Sequence, residues 1–314
     1  GWPVYGRLKQ RWRERPPDIV HVATEGPLGL AALQAARALG IPVSSSFHTN
    51  FHAYTKHYRV GFLRNTGLAY FRWFHNRAAC TFAPSVDIIA ALSDAGFDNL
   101  HLLGRGVDTE LFHPAKRDDA LRAQWRAGPQ TPVAMCVGRL AAEKNLSLVV
   151  EAWAALRARR PDLQLVLVGD GPLRAELRRK HPEVHFAGVQ RGEDLARHYA
   201  SGDLFLFAST TETFGNVVTE AMASGQVVTA YDYAAPRAHV RDGDNGFLAT
   251  FGDAPAFHSA ASRALSREAE WVQLRAAARK TALGLSWDRV VDGFENVLAT
   301  LAKQPAADVC VTNT

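Results

Sequence analysis

The chain has 314 residues, 47% of them hydrophobic and 21% charged, with 24 glycines and 15 prolines; that composition excludes a disordered or collagen-like chain and gives room for two domains. The 36 lysines and arginines against 31 acids leave a formal charge of +5 and a sequence pI of about 9.2. This bias suits an anionic small molecule, an anionic membrane surface or nucleic acid, and does not choose among them.

The opening stretch GWPVYGRLKQRWRERPPD carries charges with no apolar run after them, so it does not read as a signal peptide. Short apolar, β-branched runs follow, separated by helix-length segments. The expected strands are Asp18–Ala23, Val43–Phe47, Thr81–Ala83 and Leu100–Leu103, then Val133–Gly138, Leu163–Gly169, Val184–Gly188, Leu204–Ala208 and Val227–Tyr231. Runs apolar on every residue mark strands buried on both faces, and their alternation with helices marks parallel sheets. Between them, Asn145–Arg160 reads as a helix with Leu148, Ala152, Ala155 and Leu156 on its buried face and arginines in its last turn. Ser286–Lys303 reads as an amphipathic helix capped by Ser286, followed by a loose tail. The fold class is α/β, with two domains. The polar, Pro- and Gly-bearing stretch from Phe112 to Pro132 places the boundary between them. The expected division is 1–115, 116–285 and a C-terminal segment 286–314.

Three scattered cysteines, Cys80, Cys136 and Cys310, show no metal or redox spacing and fit a reducing, cytoplasmic compartment, with Cys136 a core thiol. The histidine group His48, His52 and His57 lacks a carboxylate or cysteine partner, so no metal and no cofactor are expected. No run of about 18 apolar residues offers a membrane span.

Two stretches carry chemistry. In LFLFASTTETFGNVVTEAMASG, a strand ends at Ala208 and a helix ends at Gly225, so Glu212 falls in the loop at the strand's carboxyl end, where open α/β sheets bind ligands. Gly215 and Asn216 open the helix, whose free N–H groups and dipole favour a phosphate, and Glu220 one turn further can reach a ribose diol. Taken alone, the two acids fit a capped surface helix with solvated carboxylates better. The second stretch, VAMCVGRLAAEKN, places Arg139 and Lys144 in a loop after a strand, a planar fork and a compact charge suited to a diphosphate. The turn VGDGP at Gly169–Pro172, met by itself, reads only as a tight turn.

Together VGRLAAEKN, LVGDGPLRAEL, ETFGNVVTE and GRGVDTELFHP resemble the retaining GT-B glycosyltransferases of family 4. The first-half stretches PDIVHVATEGPLG and SSFHTNFHAYTKHY look most like GDP-mannose-dependent α-mannosyltransferases, less like sulfoquinovosyl- and glucosyl-transferring relatives that use UDP-sugars. The resemblance implies that both domains are Rossmann-like and that segment 286–314 packs back toward the first. It also implies that Arg139 and Lys144 hold the diphosphate, Glu212 faces the donor sugar and Glu220 binds the ribose. It assigns Gly138, Phe214, Gly215, Asn216, Val217 and Val189 to the donor, and His48 to a place beside the reacting carbon. The family also carries an N-terminal strand and glycine-rich loop that lie ahead of Gly1, so the first sheet is expected to be truncated and to have an unpaired edge. The expected partners are a nucleotide sugar, GDP-mannose favoured, a lipid or glycan acceptor and an anionic inner membrane face. Two other readings stay open: a nucleotide-sugar-binding module without turnover, and, remotely, a nucleic-acid binder prompted by RLKQRWRER, although no nucleic-acid-reading motif is present.

Overall fold

The computed structural model describes residues 2–48, 61–212 and 214–303. The chain divides into two compact units, Gly1–Gly104 with Asp288–Thr314, and Arg105–Trp287. The division falls upstream of the polar stretch Phe112–Pro132. Val107 and Phe112 are buried in the second unit's core, the Val107 N–H donates to the Leu285 carbonyl at 2.9 Å, and Arg279 donates to the Thr109 and Phe112 carbonyls at 2.9 and 2.7 Å.

The first unit runs α1 (Trp2–Glu14), β1 (Val20–Val22), α2 (Pro27–Arg37), β2 (Val43–Ser46), α3 (Gly61–His75), β3 (Cys80–Ala83), α4 (Val86–Asp94) and β4 (Leu100–Leu102). Its sheet has the order β1-β2-β3-β4, parallel throughout. Three serines can occupy the fully buried β2 because each hydroxyl finds a partner and successive side chains point to opposite faces. Ser44 and Ser46 bond the two ring nitrogens of His21 at 2.9 and 3.1 Å on one face. On the other, Ser45 bonds His75 Nδ1 and Thr81 Oγ1, both at 2.9 Å. Glu25 closes that second chain by pairing with His75 Nε2 at 2.9 Å.

The second unit runs α5 (Asp119–Gln124), β5 (Val133–Val137), α6 (Leu146–Arg157), β6 (Gln164–Val168), α7 (Arg174–Lys180), β7 (His185–Gly188), α8 (Gly192–Ser201), β8 (Leu204–Phe207), α9 (Asn216–Ala223), β9 (Val227–Tyr231), α10 (Ala235–His239), β10 (Gly246–Ala249), α11 (Ala254–Ser266) and α12 (Trp271–Leu283). The last helix, α13 (Trp287–Ala302), belongs from Asp288 onward to the first unit, where its Phe294 ring lies against His21 and Phe82 at centroid distances of 5.1 and 5.0 Å. The second sheet is parallel, in the order β10-β9-β8-β5-β6-β7. Its strands feed two cores by strict alternation. Ala134, Cys136, Leu165, Leu167, Leu204 and Leu206 enter one, and Val133, Met135, Val137, Val166, Val168, Phe205 and Phe207 the other. Each fully buried aliphatic or aromatic side chain contributes about 1.5–3 kcal/mol, which is why these runs hold no charge. Cys136 and Cys80 are free, buried thiols, and burial pushes both up to about 12.

Three details depart from the sequence reading. Ala155 is exposed; the buried side of α6 is Leu146, Leu148, Val149, Val150, Ala152, Trp153 and Leu156, with Ala155 at its margin. The opening stretch, read only as charged, forms α1. The strand β10 was not expected, because Gly-Phe-Leu-Ala is short and its pairing with β9 is a tertiary event.

Candidate functional site

The order of the second sheet reverses between β5 and β8, its first and fourth strands. Loops leaving the carboxyl ends of two such strands diverge to opposite sides of the sheet and open a crevice, where ligands bind in this architecture. The two chemistry-bearing stretches are the loops that leave β5 and β8.

The β5 loop is held by the turn after β6. Gly138 and Gly169 adopt φ +148° and +134°, and a Cβ on Gly169 would lie 1.9 Å from the Gly138 carbonyl oxygen. A Cβ on Gly171 would lie 2.4 Å from the Leu140 carbonyl oxygen. The backbones clasp through Gly138 N–H to Val168 O (2.9 Å), Leu140 N–H to Asp170 O (2.9 Å) and Leu173 N–H to Leu140 O (3.0 Å). VGDGP is therefore the buttress of VGRL. The sequence showed both glycine turns but not that they touch.

From this clasp the loop turns through a short 3₁₀ segment, Ala142–Lys144, and Asn145 in the left-handed region, φ 50°, sets the start of α6. The Lys144 stem passes the Gly138 backbone, where a Cβ would meet its Cε at 3.9 Å. The Lys144 ammonium forms an ion pair with Glu212 Oε1 and lies 5.7 Å from the centre of the Phe207 ring. Both partners are largely buried, at 19% and 13% side-chain exposure. Arg139 is different: its side chain is 68% exposed, and its acidic neighbour is Glu143 at 3.9 Å. The two cations thus share a loop, but Lys144 is already compensated by an acid that the sequence reading assigned separately to the sugar.

The β8 loop is fastened to the β5 loop at Glu143, whose carbonyl accepts from the Thr210 N–H at 3.1 Å and the Ser209 hydroxyl at 3.4 Å. The Tyr233 hydroxyl donates to the Glu212 carbonyl at 3.1 Å, and the Ala235 N–H to the Phe214 carbonyl at 2.8 Å. Gly215, at φ +97°, ends the loop and begins α9; a Cβ there would lie 3.5 Å from Ala235 and 3.8 Å from Glu212 Cγ. The N-cap of α9 is Gly215, which has no side chain to cap it, and no other described side chain bonds the first-turn N–H groups of Asn216 and Val217. The helix therefore presents uncapped first-turn N–H groups, at Asn216 and Val217, beside the Lys144–Glu212 pair. Phe214 is buried, its ring 5.9 Å from that of His239.

Glu220 lies one turn further into α9. Burial raises its carboxyl above the ordinary value, against the donated bond from the Tyr199 hydroxyl at 2.9 Å to Oε2. Tyr199 itself is fully buried, and burial followed by the Glu220 charge raises its hydroxyl well above the usual tyrosine value. Tyr199 was missed in the sequence because nothing local ties α8 to α9. Val189 follows the end of β7 and is 57% exposed.

His48 belongs to the first unit, exposed, two residues past β2. Its charge and burial both depress the neighbouring His21, burial first. His52 and His57 lie outside the described residues, as does Thr213 within the β8 loop. Among the described residues no group of three or more His, Cys, Asp and Glu side chains could hold a metal ion. No described helix is long and apolar enough to cross a membrane.

Known proteins resemble this chain in sequence and in fold. Residues 131–267 match the family model described as glycosyl transferases group 1, and residues 1–111 that of Glycosyltransferase Family 4. The chain is 39% identical over 287 residues to a GDP-mannose-dependent alpha-mannosyltransferase of Mycolicibacterium smegmatis, covering 90% of this chain and 74% of that protein. It is 35% identical over 292 residues to the enzyme of the same name from Mycobacterium tuberculosis, covering 93% and 75%. In fold it matches Anabaena Alr3699/HepE, solved in complex with UDP, with a TM-score of 0.78 at 22% identity over 95% of this chain and 82% of that one. With two parallel-sheet units and these relatives over nearly its whole length, the chain belongs to the family 4, group 1 glycosyltransferases of the GT-B fold.

Proposed function

We propose that this glycosyltransferase moves a hexose, mannose in preference, from GDP-mannose to a hydroxyl of a lipid or glycan acceptor, with retention at the anomeric carbon. The observation that carries the donor side is the Lys144–Glu212 pair beside the uncapped start of α9 at the switch point of the second sheet. The mannosyltransferase names of the relatives support the choice of sugar and base. The UDP of the Anabaena structure keeps a UDP-sugar donor as the second reading.

In this reading the donor diphosphate lies against the N–H groups of Asn216 and Val217, with Lys144 and Arg139 beside it and the open backbone of Gly138 allowing close approach. Breaking the sugar–phosphate bond leaves negative charge on the departing diphosphate and positive charge on the anomeric carbon. Lys144 and Arg139 stabilise the first, Glu212 the second, and because the groups are already in place little reorganisation is needed. Glu212 holds Lys144 extended before the donor arrives, which spares the ordering of a long side chain at the moment of binding. Glu220 takes the ribose hydroxyls, and Val189, with the loop after β7, faces the base. The departing phosphate takes the acceptor proton on the face from which it leaves, so no separate base is assigned.

Thermal-shift titration with GDP-mannose, GDP, UDP-glucose and UDP tests the donor. GDP-mannose and GDP are expected to raise the melting temperature most. A larger shift with the uridine pair moves the reading to a UDP-sugar, and no shift with any of the four overturns it. A turnover assay beside the titration separates an enzyme from a module that binds donor and transfers nothing. The basic surface suits attachment to an anionic membrane face, which sedimentation with anionic vesicles checks.

A further inference from the structure

The second unit holds a cavity of about 240 Å³ at the amino-terminal ends of β8 and β9, the end of the sheet opposite the donor stretch. Gly202, just before β8, and Ser224 and Gly225, just after α9, line it together with Arg117, Arg275 and Arg279. The donor stretch, by contrast, joins the far end of β8 to the near end of α9.

Three guanidiniums, those of Arg117, Arg275 and, behind them, Arg122, surround one carboxylate, Asp203, and Arg279 lies on the same cavity wall. Its Oδ1 accepts from Arg117 at 2.9 Å and from Arg275, and its Oδ2 from Arg122 at 3.2 Å and the Val133 N–H at 2.8 Å. Asp203 is thus fully occupied, and the positive charge remains in excess. Neighbouring acids cancel only part of it, Asp119 acting on Arg122. Glu193 is paired with Lys116 at 2.7 Å, and Asp118 with Arg197. Glu110 acts on Arg279, whose guanidinium donates to the Ala223, Phe112 and Thr109 carbonyls at 2.6, 2.7 and 2.9 Å. Through Ala223, Arg279 also offsets the negative end of α9.

A buried hydrogen-bonding group also lacks a partner here. Ser224 is 2% exposed, and its hydroxyl has no hydrogen-bond partner among the described residues. Such a group costs about 1–3 kcal/mol unless something satisfies it. Arg117 and Arg275 each commit one terminal nitrogen to Asp203 and keep 31% and 28% side-chain exposure. The two glycines keep the wall bare: Gly225 adopts φ +72°, and a Cβ there would meet Pro114 at 3.1 Å. The space holds about eight waters, more than a lone phosphate fills.

We propose that this cavity binds the phosphate group of a small phosphorylated molecule, at a site separate from the sugar-nucleotide stretch. Arginine forks and a serine hydroxyl are donors matched to a tetrahedral anion.

Isothermal titration with inorganic phosphate at fixed ionic strength tests the proposal. The wild-type chain is expected to bind saturably. Arg117→Gln should weaken binding roughly tenfold, the loss of one charge-assisted bond, and Ser224→Ala severalfold. Arg117→Gln leaves Asp203 with Arg122 and Arg275, and an unchanged melting temperature for Ser224→Ala guards against a folding artefact. Lys144→Ala, in the donor stretch, should leave phosphate binding in place. Absence of saturable binding overturns the site, as does binding that Lys144→Ala removes and Arg117→Gln spares. Sedimentation with phosphatidic acid vesicles identifies the carrier. Retention lost in Arg117→Gln assigns a lipid headgroup, and phosphate binding without retention assigns a soluble phosphate ester.

Discussion

At the scale of single residues, the site separates groups that the sequence presents alike. Arg139 and Lys144 read as one cationic pair, yet Lys144 is enclosed and ion-paired while Arg139 is exposed and loosely held. Arg139→Ala should therefore leave the melting temperature unchanged and lower turnover about 10²–10³-fold, the size of losing one donor to developing charge; steady-state kinetics beside a thermal melt checks both. Glu220 carries a different signature. Its carboxyl is raised by burial, so between the ordinary value of 4.5 and the raised folded value the ionised group progressively costs the fold stability, and below 4.5 that cost is absent. Glu220→Gln keeps an acceptor for Tyr199 and should be more stable than wild type near pH 7, the difference vanishing under acid in denaturant titrations. The same change should weaken nucleoside diphosphate binding roughly tenfold. The identities of these residues were legible because each sits in a motif. Their partners were not: Tyr199, Tyr233 and the clasp at Gly169 meet the site only after the sheet has formed.

At the scale of elements, the strands were legible because alternating apolar residues feed cores on both sides, and the pattern survives in the sequence. Element ends and β10 were not, since a short Gly-Phe-Leu-Ala run acquires its strand only by lying beside β9. The glycine turn after β6 shows the same limit. Its conformation could be read from the residues, but its function as the neighbouring loop's support depends on a contact between strands. Gly169→Ala combines a disfavoured backbone at φ +134° with a Cβ 1.9 Å from the Gly138 oxygen, and should cost on the order of 3 kcal/mol or more. Chemical denaturation measures this. Because the clasp shapes the loop that carries Lys144, donor affinity should fall in the same variant even where it remains folded.

At the scale of the whole molecule, the family was legible from motifs spread over both halves, while the unit boundary was not, because Val107 and Phe112 look like linker residues until the second core receives them. One buried acid joins distant parts of that second unit. Asp203, 4% exposed, receives Arg117 and Arg122 from α5 and the stretch that leads into it, Arg275 from α12, and the Val133 N–H at the start of β5. Burial alone would raise its carboxyl, and the three guanidiniums more than reverse this, holding it below 3.8. A lowered folded value means the stabilisation is complete above 3.8 and lost as pH falls through the folded value. Asp203→Asn should cost about 3–5 kcal/mol at pH 7, as expected when one partner of a buried ionic group is removed. The gap to wild type should close only in strong acid, which urea melts at several pH values would reveal.

The clasp of Gly138 on Gly169 has a consequence for how such a chain can diversify. A wall made of main chain against main chain offers no side chain to exchange, so mutation can break it but has nothing there to retune. Under the proposed donor reading, heritable changes in which sugar or base is accepted would fall to exposed side chains beside the clasp, such as Val189, one residue past Gly188, whose carbonyl accepts from the Gly169 N–H at 2.8 Å.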